Sequence, residues 1–138
     1  MLFYEIKVHY QRQTGEDNPG AVKETYLVEG LTCADVENRL LEEIKSLIFG
    51  DCEVVSCKKA QFYDMISSPE ADKWYKARVE LITVEDNGKE TRKAVPILVQ
   101  ATTMDFALKN LQQKMASLDC EVISIQKSPI LEVLRAVN

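Results

Sequence analysis

A four-residue phrase occurs twice in this chain of 138 residues, and its recurrence limits the folds that the chain can adopt. Asp51-Cys52-Glu53-Val54 returns 68 positions later as Asp119-Cys120-Glu121-Val122. Upstream of the phrase, a shift of 71 residues places Phe3–Val8 on Trp74–Val79, so that aromatic meets aromatic, Tyr meets Tyr and Val meets Val. Because the matches keep their order along the chain, they indicate an internal duplication.

Each copy has the pattern strand, strand, helix, strand. Alternating apolar residues and β-branched runs predict the strands, and turn residues separate them. The predicted strands are Phe3–Arg12, Val22–Glu29 and Glu53–Lys58 in the first copy, and Trp74–Val84, Lys93–Gln100 and Glu121–Lys127 in the second. The first hairpin turn is predicted over Gly15–Gly20. The second contains Asn87-Gly88, which favours a type I′ turn.

Apolar residues spaced three or four apart predict one helix in each copy. These stripes are Val36, Leu40, Ile44 and Leu47 in the first copy, and Ala107, Leu111, Met115 and Leu118 in the second. Thr32 and Thr102, each followed three residues later by an aspartate, are the predicted N-caps. A short C-terminal helix is predicted after Ser128-Pro129, with Ile130, Val133, Leu134 and Val137 facing inward.

These elements predict an α+β protein of two ββαβ repeats related by a pseudo-twofold axis, with the helices packed on antiparallel or mixed sheets. One repeat of about sixty residues buries too little apolar surface to be stable alone, so the two are expected to form one joint globular domain. The predicted divisions are residues 1–60 for the first repeat, 61–73 for a linker and 74–138 for the second repeat with its C-terminal short helix.

Charge and composition argue against several classes of protein. The net charge of −5 and the isoelectric point near 5.0 oppose bulk attraction to nucleic acid or to an anionic membrane. The chain has no apolar run long enough to span a membrane, and its first residues do not resemble a signal peptide, so we expect a cytoplasmic location. The four cysteines, Cys33, Cys52, Cys57 and Cys120, are then expected to be reduced.

No catalytic or metal-binding motif stands out, so we expect neither enzyme activity nor a cofactor. The five glycines form no phosphate-binding loop, and the cysteines lack the close pairs of structural zinc sites. His9, the one histidine, has no nucleophile near it in sequence. The acidic turns Glu16-Asp17-Asn18 and Glu85-Asp86-Asn87 do not match a calcium loop and are interpreted as solvated turns. An enzyme with residues scattered between the repeats is a third, weaker alternative.

The first strand of each repeat presents a second face that carries an aromatic residue and a cation. If Tyr4, Ile6 and Val8 face the helix, their neighbours face away from it. The candidate binding residues on this second face are Phe3, Lys7, Trp74, Lys76 and Arg78. Sheets that bind single-stranded nucleic acid combine rings for stacking with cations for phosphates.

The charge balance differs between the copies. Residues 73–138 hold ten Lys or Arg against eight Asp or Glu, whereas residues 1–60 hold seven against eleven. The second copy is therefore the better candidate for contact with phosphates. The alternative is that the aromatic residues of this face anchor contact with the other repeat or with a partner chain.

The start Phe3-Tyr4-Glu5-Ile6-Lys7-Val8, the threonine-led helix after Val28-Glu29-Gly30-Leu31-Thr32 and the strand at Asp51-Cys52-Glu53-Val54 resemble an uncharacterised bacterial and phage family, classed as a domain of unknown function. The resemblance covers most of the chain. The family is common in gut anaerobes and their mobile elements, which implies a phage-related or nucleic-acid-associated role. It carries no assigned activity, and so it transfers no functional residues.

The leading expectation is a small, non-enzymatic cytoplasmic binding or interaction protein that forms a homo-oligomer or binds a protein partner, and that does not bind membranes. The alternative is a protein that binds single-stranded nucleic acid through the aromatic and basic sheet face.

Overall fold

The computed structural model describes residues 2–12 and 20–136, and its elements confirm the α+β class. Within these residues the chain forms two α-helices, one short 3-10 helix (Lys45–Leu47) and eight strands in two four-stranded sheets. The elements are β1 (Leu2–Arg12), β2 (Gly20–Gly30), α1 (Cys33–Ile44), β3 (Ile48–Ala60), β4 (Asp64–Ile66), β5 (Lys73–Val84), β6 (Glu90–Ala101), α2 (Met104–Lys114), β7 (Cys120–Lys127) and β8 (Ile130–Leu134).

Some sequence predictions fall outside the described residues. They are most of the turn predicted over Gly15–Gly20, with its acidic group Glu16-Asp17-Asn18, and Val137. Among the helices of the described ranges, none has the length and apolar character needed to cross a membrane.

The chain divides into two compact units. The first contains Met1–Gln61 together with Pro129–Asn138, and the second contains Phe62–Ser128. This division differs from the predicted one, since most of the linker expected over residues 61–73 belongs to the second unit. The C-terminal segment, which the sequence predicts to be part of the second repeat, belongs to the first unit.

The sheet of the first unit has the strand order β3-β1-β2-β8. Strand β1 pairs antiparallel with both β2 and β3, and β8 lies parallel to β2. The predicted alternation along β1 is confirmed, because its inward residues join those of α1 in one apolar cluster. The buried members of this cluster are Tyr4, Ile6, Val8, Tyr10, Tyr26, Val28, Val36, Leu40 and Ile44. The helix therefore excludes water from one face of the sheet.

The sheet of the second unit has the order β4-β6-β5-β7. Strand β5 pairs antiparallel with β6 and β7, and β4 lies parallel to β6. Its apolar cluster lies between the sheet and α2. The buried members are Tyr75, Ala77, Val79, Val95, Ile97, Val99, Ala101, Ala107, Leu111 and Met115.

Both helices begin at a threonine N-cap, which satisfies a backbone donor that has no partner within the helix. Oγ1 of Thr32 accepts a hydrogen bond from the backbone N–H of Asp35 at 3.1 Å, as predicted. In α2 the capping residue is Thr103, whose Oγ1 accepts from the backbone N–H of Phe106 at 3.2 Å. The predicted cap at Thr102 is therefore wrong by one residue.

The type I′ turn predicted at Asn87-Gly88 is wrong. Gly88 has a φ of 83°, but no non-glycine residue in the described ranges has a positive φ, and a type I′ turn needs two such residues. Instead, the N–H of Glu85 donates to the carbonyl of Lys89, and the N–H of Gly88 donates to the carbonyl of Glu85, both at 2.8 Å. Three residues thus form the loop, and Gly88 alone takes the left-handed conformation.

The short helix predicted after Ser128-Pro129 is wrong, because Ile130–Leu134 forms strand β8. This strand pairs with Thr25–Val28 of β2. The predicted linker likewise contains strand β4, which adds to the edge of β6. Short apolar runs fit a helix or a strand equally well, and hydrogen bonding to an existing sheet edge decides between the two here.

Candidate functional site

An apolar groove of about 750 Å³ lies in the second unit between α2 and β7. Strand β7 is an edge strand of its sheet, so the backbone groups on its outer side pair with no other strand of the described residues. The groove is lined chiefly by Leu108, Gln112, Met115, Leu118, Val122 and Ile125. It therefore combines an aliphatic floor with an open strand edge.

A β-bulge interrupts β7 at Ile123. Arg78 of β5 is opposite Ser124, but the next residue, Val79, is opposite Val122, so Ile123 is an extra residue in the edge strand. Its side chain is 50% exposed and lines the groove. A bulge turns a side chain away from the regular pleat, and here it leaves an aliphatic group at the groove.

The edge strand of the first unit has the same irregularity. Lys7 is opposite Ser56 and Val8 is opposite Val54, so Val55 is the extra residue in β3, and it is 47% exposed. Bulges are one device by which edge strands resist indiscriminate pairing with other chains. Val55 therefore provides a reference position for Ile123, with the same local backbone and a similar exposure.

A charged network lies on the face of the second sheet away from α2. The guanidinium of Arg92 is 3.0 Å from a carboxylate oxygen of Glu80, 3.1 Å from one of Glu121 and 3.5 Å from one of Glu90. The hydrogen bonds to Glu80 and Glu121 raise the pKa of Arg92 above its usual value. Since these groups are partly exposed, solvent screens them, and their effect is to join β5, β6 and β7 rather than to stabilise the unit strongly.

The five predicted binding residues divide between the two units. Phe3 and Lys7 lie on β1 of the first unit, where Phe3 is half-buried and Lys7 is exposed. Trp74, Lys76 and Arg78 lie on β5 of the second. Trp74 is only 5% exposed, so its ring offers little free surface for stacking with a base. Trp74 is not a member of the apolar cluster between this sheet and α2.

Lys76 and Arg78 line a shallow depression of about 380 Å³ on the second sheet. Ser124 and Gln126 of β7 lie on the other side of it. Two cations together with hydroxyl and amide groups suit an anionic group. Among the described residues that line the depression there is no aromatic ring, so it offers charge without stacking.

Sequence reasoning missed a polar cluster around Glu24 in β2. Oε1 of Glu24 accepts hydrogen bonds from the hydroxyl of Tyr10 and, at 3.2 Å, from that of Tyr26, while Oε2 accepts from Arg12 at 3.2 Å. Burial and the nearby carboxylate raise the pKa of both tyrosines. The cluster therefore crosslinks β1 and β2. The signal that could have revealed it is a glutamate at an inward position, between Val22 and Tyr26.

Two half-buried thiols lie close together in the first unit. Sγ of Cys33, at the start of α1, is 3.6 Å from the carbonyl oxygen of Cys57 in β3. Burial and a hydrogen bond with Cys33 raise the pKa of Cys57 to about 12, so this thiol stays protonated near neutral pH. All four cysteines are free thiols. No three His, Cys, Asp or Glu side chains of the described ranges come together as a metal site would require.

Comparison with known proteins identifies a family but no activity. The family described as Domain of unknown function (DUF4494) matches residues 2–136 of the chain. No curated protein matches it. The family match spans both units and brings no ligand, partner or site residue with it.

Proposed function

The chain belongs to the DUF4494 family, whose description assigns no activity, and we propose that it is a non-enzymatic binding protein that docks an extended segment of a partner protein. The observation that carries this proposal is the groove between α2 and the open edge of β7. Strand addition needs these two parts, because edge hydrogen bonds supply affinity and side-chain pockets beside the edge supply specificity.

The lining of the groove indicates which segment fits. Leu108, Met115 and Val122 offer aliphatic contacts, and Ile123 adds apolar surface that is already half-exposed. The volume lies within the range of about 300–1,000 Å³ that is usual for binding clefts. Beyond the bulge, β7 is regular over residues 124–127, and a partner strand would pair there. The partner is thus a segment with apolar residues at alternate positions.

Selection from a library of displayed peptides on the immobilised chain tests this proposal. We expect the selected peptides to have apolar residues at alternate positions. They should bind the Ile123→Lys variant about tenfold or more weakly than the unmodified chain, because a charge would be buried in the groove. Val55→Lys is the matched control and should bind these peptides like the unmodified chain. Both variants are checked for folding by circular dichroism. The proposal would be contradicted by peptides that bind Ile123→Lys as tightly as the unmodified chain. It would also be contradicted if Val55→Lys weakened binding as much as Ile123→Lys.

A second candidate function, the binding of single-stranded nucleic acid, is favoured by the depression at Lys76 and Arg78. These cations would contact phosphates, and Trp74 would take no part. The anisotropy of a fluorescein-labelled oligothymidine should then rise on binding, with an affinity that falls steeply as salt increases. Arg78→Glu should weaken binding more than Lys93→Glu, a charge reversal outside the depression. Lack of binding at low salt would remove this candidate.

We further propose that the two units arose by duplication of one ββαβ unit. Three features support this origin at the offset of 71 residues found in the sequence. The first is the bulge, which follows Lys7 in the pairing of β1 and Arg78 in the pairing of β5. The second is the helix cap, Thr32 in one unit and Thr103 in the other. The third is the alignment of the first residues of β1 and β5. The pseudo-twofold axis stays a prediction. We also propose that the protein is of bacterial or phage origin and that it is located in the cytoplasm. The four free thiols support the location, because cysteines stay reduced in that compartment.

A further inference from the structure

The first unit has a sheet edge that receives a strand from the far end of the sequence. Strand β8 lies parallel to β2 along Thr25–Val28. Its first residue, Ile130, is 3% exposed, and its last residue, Leu134, packs against the apolar cluster of the first unit. The whole second unit intervenes between residue 61 and residue 129. No short connection therefore ties this strand to the sheet that it completes.

Two side chains of the first unit hold the end of the segment. The backbone N–H of Ala136 donates to Oε1 of Glu29 at 2.7 Å, and Arg39 of α1 donates to the carbonyl of Arg135 at 2.8 Å. Arg39 also donates to the carbonyl of Glu29, which positions both groups. Because the contacts go to backbone atoms, they would hold the same segment whichever copy of the chain supplies it.

The second unit has a corresponding arrangement. Oε1 of Gln100 accepts from the backbone N–H of Ser68 at 2.9 Å, and β4 adds parallel to β6. Gln100 follows Glu29 by 71 positions, and Ala136 follows Ser68 by 68, the same two offsets that relate the repeated phrases. A strand edge with a side-chain clamp is thus a recurrent receiving site for the strand that ends a repeat.

We propose that the receiving site beside β2 also accepts residues 129–136 of a second copy, so that two chains exchange their C-terminal strands and form a homodimer. The link from β7 to β8 is Ser128-Pro129 alone. The N–H of Ser128 is bonded to the carbonyl of Trp74 at 2.8 Å, and proline restricts the chain beyond it. Short, stiff hinges favour exchange between chains, and the exchanged strand makes contacts that already exist within one chain.

Light scattering over a range of concentrations tests the exchange. The dimer fraction of the full chain should rise between about 10 μM and about 1 mM, the scale of effective concentration set by a short link. A chain that ends at Ser128 should be monomeric throughout. A full chain that stays monomeric, or a dimer that persists without residues 129–138, overturns the proposal. Neither result bears on the groove beside β7.

A synthetic peptide of residues 129–138, labelled with a fluorophore, probes the receiving site itself. It should bind the chain that ends at Ser128 about tenfold or more tightly than the full chain, whose site is filled. Glu29→Ala should weaken this binding about tenfold, and Gln100→Ala, the matched change in the second unit, should leave it unchanged. If the shortened chain is unfolded, recovery of its circular dichroism on adding the peptide supports the site, and lack of recovery overturns it.

Discussion

Replacing Gly30 by alanine should destabilise the first unit through one close contact. A Cβ atom at Gly30 would lie 2.7 Å from Cγ1 of Val36. Val36 is fully buried between α1 and the sheet, so it has no free space into which to move. Overpacking of this kind costs about 1–3 kcal/mol, and removing a glycine from a strand returns about 0.5–1 kcal/mol. We expect a net loss of about 1–2 kcal/mol in the free energy of unfolding.

The second unit suggests the compensating change. At the offset of 71 residues, Gly30 and Val36 correspond to Ala101 and Ala107, both buried. Val36→Ala alone should cost about 2–3 kcal/mol, since it removes buried methyl groups and leaves a cavity. In the double variant the methyl group added at position 30 occupies part of that cavity. The double variant should therefore lose about 1–2 kcal/mol less than the sum of the single losses.

Guanidinium denaturation followed by circular dichroism measures these free energies for the unmodified chain, the two single variants and the double variant. Gly20→Ala is the control, because nothing lies within 4 Å of the added Cβ, and its unfolding free energy should not fall. Additivity of the single losses within about 0.3 kcal/mol would refute the reasoning, because it would mean that the two side chains do not compete for space.

Three further predictions use the same measurement. Thr103→Ala should cost about 1 kcal/mol as the loss of a helix cap, and Thr102→Ala less than about 0.5 kcal/mol; equal losses would place the cap elsewhere. Leu111→Ala should cost about 2–5 kcal/mol because the side chain is fully buried, and a loss below about 1 kcal/mol would contradict the packing of α2. The pKa of Tyr26 is raised on folding, so its contribution is complete below pH about 10 and is lost as pH rises through the folded value. The unfolding free energy should therefore fall as pH rises above about 10. An equally steep fall in the Tyr26→Phe variant would assign the effect to another group.

Elements whose pattern reflects a single buried face were predictable. Alternation along β1 and the spacing of Val36, Leu40 and Ile44 are direct consequences of packing one sheet face under one helix. The cap at Thr32 is equally local, because its hydrogen bond spans only three residues. Of the neighbouring threonines, only Thr102 is followed three residues later by an aspartate, yet Thr103 is the cap, so the pattern was misleading by one residue.

Elements that depend on distant contacts were not predictable. Ile130–Leu134 fits a helix or a strand until the edge of β2 is present to pair with it. Alternation correctly predicts that Trp74 lies on the face of the sheet away from α2, but it does not predict whether that face is exposed to solvent. The groove at Ile123 needed the register of β5 against β7, since a bulge leaves no mark in an alternating sequence of this length.

A partner segment that adds to the open edge of β7 beside α2 would change the surroundings of the backbone amides in both elements. Amide chemical-shift mapping of the isotope-labelled chain with a selected peptide detects such a change. We expect the largest shifts at residues 120–127 of β7 and at residues 108–116 of α2 and the following turn, together with slower hydrogen exchange of the outward amides of β7. Shifts concentrated instead around Lys76 and Arg78, with the exchange of β7 amides unchanged, would contradict the proposed docking at β7.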